Sequence, residues 1–483
     1  MPTKASNPIL RQIPSIDELL RSKTAQELRK SLGSKQLTGL ARSAIAEIRN
    51  IVRSGNELAG VSPDQHTPTS LLGEAERKLK EAFEREQLTG LSRVINATGV
   101  VLHTNLGRAP LSERALRAIQ EASRYCNLEY DTASGSRGRR GVRVESLLMT
   151  LTAAEDALVV NNCASAALLI LTVLAKDKET IVSRGELVEI GGDFRIPDVM
   201  ATSGTNMVEV GTTNRTSIED YRRAITDDTR LLMRVHPSNY RIVGFASSPH
   251  LSELVELARE LNIPLYEDAG SGQINSLSNF GVTDEVSIRE LVSIGADVVS
   301  FSGDKLLGSA QAGLIVGKTE IVSRLRKHPL YRALRIDKLR LAALQGSLES
   351  YQKGDEANEL PVIRMLSLTA EEIASRARRL VDQFQREDNE DLALSLNDDH
   401  SAIGGGAGPT SRLRTTVILL THRSLSSEQI ERHLRTADPP IIARISDGCV
   451  LLDLRTVQED EEPALLRALQ GLKTSGLTAL VSV

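Results

Sequence analysis

The sequence predicts an α/β protein: a large domain on a doubly wound, parallel-rich sheet, a helical domain ahead of it and a small α+β domain behind it. Three observations carry this. Between residues 92 and 339, short apolar runs at 158–160, 180–182, 208–210, 231–235, 265–267 and 298–301 alternate with helix-like stretches, the pattern of parallel strands joined by helical crossovers. Ahead of that region, apolar residues recur at helical spacing. After Lys353-Gly354-Asp355 the alternation gives way to a helix around 363–388, a glycine-rich turn and then strands at 415–420, 441–445 and 450–454. The expected domains are therefore 1–60, a linker at 61–91, 92–345 and 346–483.

Residues 1–60 read as a basic helical domain. Ser15 followed by Glu18 is a capping box, and Leu19 and Leu20 open the apolar face behind it. Leu40, Ile45, Ile48 and Val52 recur near the spacing of a second amphipathic helix. Up to Arg53 the chain holds ten basic residues against four acidic ones, a charge of +6, whereas all 483 residues together carry −4. Such asymmetry marks a nucleic-acid-binding module, although a solvated basic helix face has the same composition. Ser54-Gly55-Asn56 and the Pro-containing stretch 61–70 read as its end, and 71–85 returns to a charged helical pattern that leads into the large domain.

Within the large domain, Gly295-Ala296-Asp297-Val298-Val299-Ser300-Phe301-Ser302-Gly303-Asp304-Lys305-Leu306-Leu307-Gly308 carries one lysine from the end of an apolar run into a glycine-flanked turn. A lysine side chain is strongly hydrated, so one at the mouth of a buried strand points to Schiff-base chemistry, with pyridoxal 5′-phosphate as the carbonyl partner. Ser-x-x-Lys in a loop is weak evidence by itself. Two further segments strengthen it. Asn262-Ile263-Pro264-Leu265-Tyr266-Glu267-Asp268-Ala269-Gly270-Ser271-Gly272 ends a short strand on a carboxylate, at the edge where parallel sheets hold their ligands. Asp268 there suits an ion pair to the cofactor's ring nitrogen, although Asp before Ala-Gly-Ser-Gly also suits a cap or turn. In Asp156-Ala157-Leu158-Val159-Val160-Asn161-Asn162-Cys163-Ala164-Ser165, an apolar run turns through small polar residues into a helix. Its N-terminus offers amides to an anion, so Ala164 and Ser165 are expected at the cofactor phosphate, with the Ser302 hydroxyl beside them.

The small domain's Gly404-Gly405-Gly406-Ala407-Gly408 lacks the Lys-Ser/Thr of a phosphate loop, which favours a hinge or a close backbone approach. Cys126, Cys163 and Cys449 are odd in number and show no metal-ligand spacing, which argues for a reducing compartment and against disulfides or structural zinc. No run reaches the length of a membrane span and the first residues lack an apolar signal region, so a soluble, cytoplasmic protein is expected. With aromatic residues at 3% and no tryptophan, base stacking on single strands is a poor expectation, and RNA recognition by shape and backbone contacts a better one.

Longer segments carry a resemblance. Ile13-Pro14-Ser15-Ile16-Asp17-Glu18-Leu19-Leu20, Val94-Ile95-Asn96-Ala97-Thr98-Gly99-Val100-Val101-Leu102-His103-Thr104-Asn105-Leu106-Gly107-Arg108-Ala109-Pro110-Leu111, Glu209-Val210-Gly211-Thr212-Thr213-Asn214-Arg215-Thr216, Val235-His236-Pro237-Ser238-Asn239-Tyr240 and the lysine segment follow in order through almost the whole chain. The sequence resembles the bacterial selenocysteine synthases. That resemblance implies the fold-type I aminotransferase architecture and conversion of seryl-tRNA(Sec) to selenocysteinyl-tRNA(Sec). The route it implies is pyridoxal phosphate-dependent β-elimination to an aminoacrylyl-tRNA, then addition of selenium from selenophosphate. It also implies a homo-oligomer, a decamer built as a ring of dimers, in which active sites draw arginines from a neighbour. Arg108, Arg332 and Arg335 would bind the selenium donor, the last two lying three apart on one side of a helical turn. Asn239 would hydrogen-bond the ring hydroxyl, Asp304 either orients the leaving hydroxyl or caps the turn, and His103 and His236 fit satisfied core histidines. Two alternatives stay open: a related lyase acting on a small amino acid or amino sugar, which should lack the basic N-terminal module, and a non-catalytic RNA-binding protein on the same scaffold.

Overall fold

The computed structural model describes residues 8–54, 67–88, 90–191, 194–283, 285–385 and 391–472. The chain divides into two compact units, Met1–Arg93 and Val94–Val483.

The first unit is helical: α1 (Ile16–Arg21), α2 (Lys23–Leu28), α3 (Ser34–Ser54) and α4 (Pro68–Leu88). Ser15 Oγ accepts the Glu18 amide at 3.1 Å and starts α1, and Ser22 closes α1 while capping α2 through the Ala25 amide. Leu37, Ala41, Ala44, Ile45, Ile48 and Val52 bury one stripe of α3 together with Leu71, Ala75 and Leu79 of α4. The four-residue spacing of those last three puts them on one side of a helix, so the helical part of 61–91, read as linker, is core of this unit; residues 55–66 lie outside the described residues. Glu47, the one acid on α3, is held by Lys78 of α4 at 2.7 Å. Arg11, Arg21, Lys23, Arg29, Lys30, Lys35, Arg42, Arg49 and Arg53 are all exposed; Lys4 lies outside the described residues.

The second unit is built on seven strands, β1 (Asp156–Val160), β2 (Glu179–Ser183), β3 (Asn206–Val210), β4 (Thr229–Val235), β5 (Leu265–Asp268), β6 (Val298–Ser302) and β7 (Gly313–Gly317), in the order β1-β7-β6-β5-β4-β2-β3. All neighbours pair in parallel except β7, which is antiparallel to both β6 and β1. Six of the seven are the strands expected from apolar runs. β7 follows β6 through a loop with no crossover helix, which is why it runs the other way. Helix α5 (Cys163–Ala175) packs Ala166, Leu169, Ile170 and Leu174 onto one sheet face with Tyr266, Val298 and Ile315. The short helix α6 (Pro329–Leu334) ends beside β1, where the Asn161 amide donates to Leu334 O at 3.0 Å.

The expected helix at 363–388 is two helices. Pro361–Ser367 stops where Leu368 turns extended, and Thr369 then caps α7 (Ala370–Gln385) by accepting the Glu372 amide while Glu372 accepts that of Thr369; residues 386–390 lie outside the described residues. β8 (Leu392–Gly404), β9 (Ala407–His422), β10 (Arg444–Ser446) and β11 (Cys449–Asp453) form an antiparallel sheet in the order β8-β9-β11-β10. The run expected at 441–445 is split, because Ile441–Ile442 leaves this sheet to pair in parallel with Ile95–Asn96. The 99–102 loop is tied to β8 by Val101 N–H to Ala402 O at 3.0 Å and Leu102 N–H to Ile403 O at 2.7 Å. That contact brings the β8–β9 turn to the C-terminal edge of the large sheet. Among the described residues, no helix is long and apolar enough to cross a membrane.

Candidate active site

The turn after β6 delivers Lys305 to the C-terminal edge of the sheet, where it is 5% exposed. Glycines surround its amine: an added Cβ would lie 3.6 Å from Lys305 Nζ at Gly270 and 3.5 Å at Gly406. Gly406 belongs to the β8–β9 turn, whose Gly404, Gly405 and Gly406 all take positive φ; Gly404 and Gly405 are a close approach to Leu102, whose oxygen would lie 3.3 and 2.9 Å from an added Cβ, and Gly406 borders the lysine. Burial pushes the Lys305 ammonium below the usual lysine range; the nearby Arg108 adds to this, and the acidic groups of Cys163, Asp268 and Asp304 oppose it.

Asp304 is held on both oxygens. Oδ1 accepts from Ser302 Oγ at 2.8 Å, and Oδ2 accepts from Arg108 Nη1 at 2.7 Å and from Gln311 Nε2 at 3.5 Å. Arg108 reaches it from the 99–108 loop with φ 63°, a left-handed conformation that a non-glycine residue rarely adopts. The Ser302 hydroxyl proton is thus directed at Asp304.

Asp268 ends β5 in register with Ser300 of β6. Its Oδ1 accepts from Ser300 Oγ at 3.0 Å and from Cys163 Sγ at 3.4 Å. Burial raises its pKa, while those two donors and the Lys305 charge hold it down. On the flank, Asn162 caps α5 by accepting the Ser165 amide at 2.8 Å. The amides of Cys163 and Ala164 are then first-turn donors outside the helical ladder. Arg340 grips the preceding Asn161 through its carbonyl at 3.2 Å.

The other expected residues lie apart from this cluster or at its edge. Asn239 is exposed and donates Nδ2 to Glu189 O at 2.8 Å. Its neighbour Ser238 is the buried one, with an unpartnered Oγ; a Cβ on Gly406 would be 3.5 Å from that oxygen as from Lys305 Nζ. His236 is tied through Nε2 to Glu285 at 3.1 Å, and Glu285 also accepts the Gly408 amide at 2.7 Å, joining strand end to glycine turn. His103 Nδ1 is a buried atom without a partner. Arg332 is exposed on α6, whereas Arg335 lies beyond the helix end in extended conformation, 3.6 Å from Glu129. The two arginines do not share a helical turn, because α6 stops at Leu334 to bond Asn161.

Lys305 and Asp268, expected from the sequence, lie in this buried cluster, and the structure adds Asn162, Ser300 and the thiol of Cys163 around them, with Ser238 beside Gly406; the sequence did not single these out. Asn before a run of small residues is an N-cap signal that was available; for the serines there was none. A buried amine with glycines beside it and a buried acid within electrostatic reach, together with the first-turn amides of α5, suits an aldehyde cofactor that carries a phosphate.

Residues 94–458 match the family described as L-seryl-tRNA selenium transferase, and 10–49 match the selenocysteine synthase N-terminal family. The chain is 45% identical over 466 residues to the L-seryl-tRNA(Sec) selenium transferase of Geobacter sulfurreducens, covering 96% of this chain and 99% of the relative. The enzyme of the same name from Carboxydothermus hydrogenoformans is 44% identical over 454 residues, covering 94% and 95%. Among solved structures, that of D-glucosaminate-6-phosphate ammonia-lyase superposes with a TM-score of 0.57 at 22% identity, covering 80% of this chain and 96% of the other. The last likeness is one of fold, the fold-type I aminotransferase-like architecture that the sheet order describes. With a family match over residues 94–458, a second one over 10–49 and relatives 44–45% identical along nearly the whole chain, this chain belongs to the L-seryl-tRNA selenium transferase family.

Proposed function

We propose that this protein converts seryl-tRNA(Sec) to selenocysteinyl-tRNA(Sec), with pyridoxal 5′-phosphate as cofactor and selenophosphate as selenium donor. The observation that carries the reading is Lys305, buried beside Gly270 and Gly406 and within electrostatic reach of Asp268, in a chain of this family. When bound, the cofactor supplies an electron sink conjugated to the serine amino group.

The remaining chemistry belongs to the chain. Lys305 would hold the cofactor through Nζ and, as a neutral amine, would take the proton from the serine Cα, a task that its depressed pKa suits. Asp268 would pair with the ring nitrogen of the bound cofactor. The Cys163 and Ala164 amides, with Ser165, receive the phosphate, and the unpartnered Ser238 hydroxyl is a better candidate than exposed Asn239 for a polar contact to the ring. Asp304 accepts no backbone amide among the described residues, which favours orienting the departing β-hydroxyl over capping the turn. Arg108 bridges this acid to the donor anion, and Arg332 and Arg335 complete the anion site. Because Arg332 is exposed and off the cluster, it serves a neighbouring subunit of a homo-oligomer, a decamer by family resemblance. The exposed basic surface of the helical unit takes the tRNA backbone, in the cytoplasm.

Incubation with seryl-tRNA(Sec) and selenophosphate, followed by identification of the aminoacyl group, tests the proposal. Selenocysteine is expected; unchanged serine from protein loaded with the cofactor overturns it.

A further inference from the structure

Behind Asp268 runs a line of buried polar groups that the reaction as described does not use. Tyr266 and Asp268 are two apart on β5 and so project from the same sheet face, and Ser300 is the in-register partner of Asp268 on β6. Tyr266 Oη lies 2.8 Å from Ser300 Oγ, and Ser300 Oγ lies 3.0 Å from Asp268 Oδ1. Tyr266 and Ser300 are 0% exposed. Tyr266 packs among Leu158, Val160, Val298 and Ile315, where Phe and Ala would fill the space with no hydroxyl to satisfy.

Chemistry fixes the direction of these bonds. An ionised carboxylate only accepts. The one Ser300 proton therefore goes to Asp268, and Tyr266 must in turn donate to Ser300. Cys163 Sγ adds a second donor to the same Oδ1 at 3.4 Å. Every hydrogen bond from a described side chain falls on Oδ1, which leaves Oδ2 uncommitted. Each link polarises the next, so a two-hydroxyl chain ending on a carboxylate stabilises the anion more than one hydroxyl alone.

We infer that Ser300 and Tyr266 are positioning residues that hold Asp268 as an anion with Oδ2 turned to the ligand, and thereby set how tightly the protein grips the cofactor ring. This rests on the reading of Asp268 as the ring-nitrogen partner.

The test uses the full-length protein and five variants, Ser300→Ala, Ser300→Thr, Tyr266→Phe, Ser300→Ala combined with Tyr266→Phe, and Asp268→Asn. Affinity of the cofactor-free protein for pyridoxal phosphate is measured by fluorescence, and the visible absorbance of the loaded protein is titrated with pH. Ser300→Ala should weaken cofactor affinity about tenfold, the worth of one charge-assisted hydrogen bond, and move the titration midpoint by about half a unit or more. Tyr266→Phe should change both in the same direction but less. The double variant should match Ser300→Ala alone, because Tyr266 acts through Ser300, and Ser300→Thr should restore both properties. A purely structural role would lower melting temperature and leave the titration midpoint in place. Midpoint and affinity unchanged in Ser300→Ala and Tyr266→Phe, while Asp268→Asn alters both, would overturn this inference and leave the ring-nitrogen reading standing. If Asp268→Asn is also silent, both fall. Should Ser300→Ala not fold, Tyr266→Phe, which removes one oxygen and keeps the ring, decides by the same two readouts.

Discussion

Arg108 Nη1 lies 2.7 Å from Asp304 Oδ2, so the residue next to Lys305 in the chain is half of an ion pair supplied from a loop 196 positions away. The pair is 24% exposed on the arginine side and 8% on the aspartate side. Breaking it at one end strands the other charge, which is costlier than the pair is favourable. It also places a cation where it depresses the Lys305 pKa.

Replacing Arg108 with Gln therefore removes a cation near Lys305 and frees the Asp304 carboxylate to attract the ammonium. Both changes raise the lysine pKa. The rate at which cofactor-free protein captures pyridoxal phosphate, followed against pH, should reach half its maximum at a higher pH than in the parent. A midpoint that stays put or falls would show that the ion pair has no electrostatic hold on the lysine.

Gly406 separates strain from crowding. Its φ is 73°, and an added Cβ would lie 3.5 Å from Lys305 Nζ; Gly354 has φ 71° and nothing within 4 Å of an added Cβ. Alanine at either position should cost about 1 kcal/mol of stability from the left-handed backbone. Only Gly406→Ala should also weaken cofactor binding, because it fills space beside the amine. Melting curves and binding titrations of the two variants make the comparison, and equal loss of cofactor affinity in both would sink the close-approach account.

How much of this was legible follows from where each residue's signal lies. Strands β1, β2, β4, β5 and β6 are largely buried on both faces and leave near-continuous apolar runs, so the sequence pattern reveals them; β3, at the sheet edge, is mostly exposed and is marked only by its short apolar run. Lys305 and Asp268 are legible because a charge that closes such a run is conspicuous. Strand β8 was missed because Asn397, Asp398, Asp399 and His400 lie in its middle, and the long hairpin with β9 tolerates them because neither face of β8 is buried at these four positions. Ser238 and Ser300 were missed for a different reason. A serine carries no pattern, and only the register of β5 against β6 brings Ser300 to Asp268. Arg335 was misread because the end of α6 depends on an amide from Asn161, far away in sequence.

The helical unit offers a prediction about RNA. Arg42, Arg49 and Arg53 are exposed on α3, while the acid of that helix, Glu47, is engaged by Lys78. Changing the three arginines to Glu should leave melting temperature and cofactor content nearly unchanged, since none of the three is in the core. Affinity for seryl-tRNA(Sec) should fall, and the slope of log affinity against log salt should flatten by about 0.7–0.9 for each phosphate that the variant no longer neutralises. Binding and slope equal to those of the parent would reduce the basic face to solvated surface. Truncation at Ser54 would be a poorer experiment, because it bares Leu71, Ala75 and Leu79 of α4.

A second buried carboxyl, away from Lys305, should govern how stability varies with pH. Glu186 is 8% exposed and accepts the Val235 amide at 3.0 Å, and burial, its dominant influence, pushes its pKa up to about 8 from an ordinary value of 4.5. Glu267, on β5 beside Asp268, is likewise raised to about 7 by burial, against the opposing charge of Arg234 at 3.5 Å. An acid whose pKa is higher in the folded chain binds a proton there that the unfolded chain has already released. Between those two pKa values the native state holds more protons, so stability is greatest at the acid end of the window and declines as pH rises through it. In Glu186→Gln the side-chain oxygen still accepts from Val235, but nothing titrates. The melting temperature of this variant should therefore fall less steeply than that of the parent between pH 4.5 and about 8. Glu267 and the rest of the chain keep their own dependence, so the decline is reduced rather than abolished. Parallel curves for the two proteins across that window would mean that Glu186 is ionised in the fold, with Arg234 rather than a bound proton balancing it.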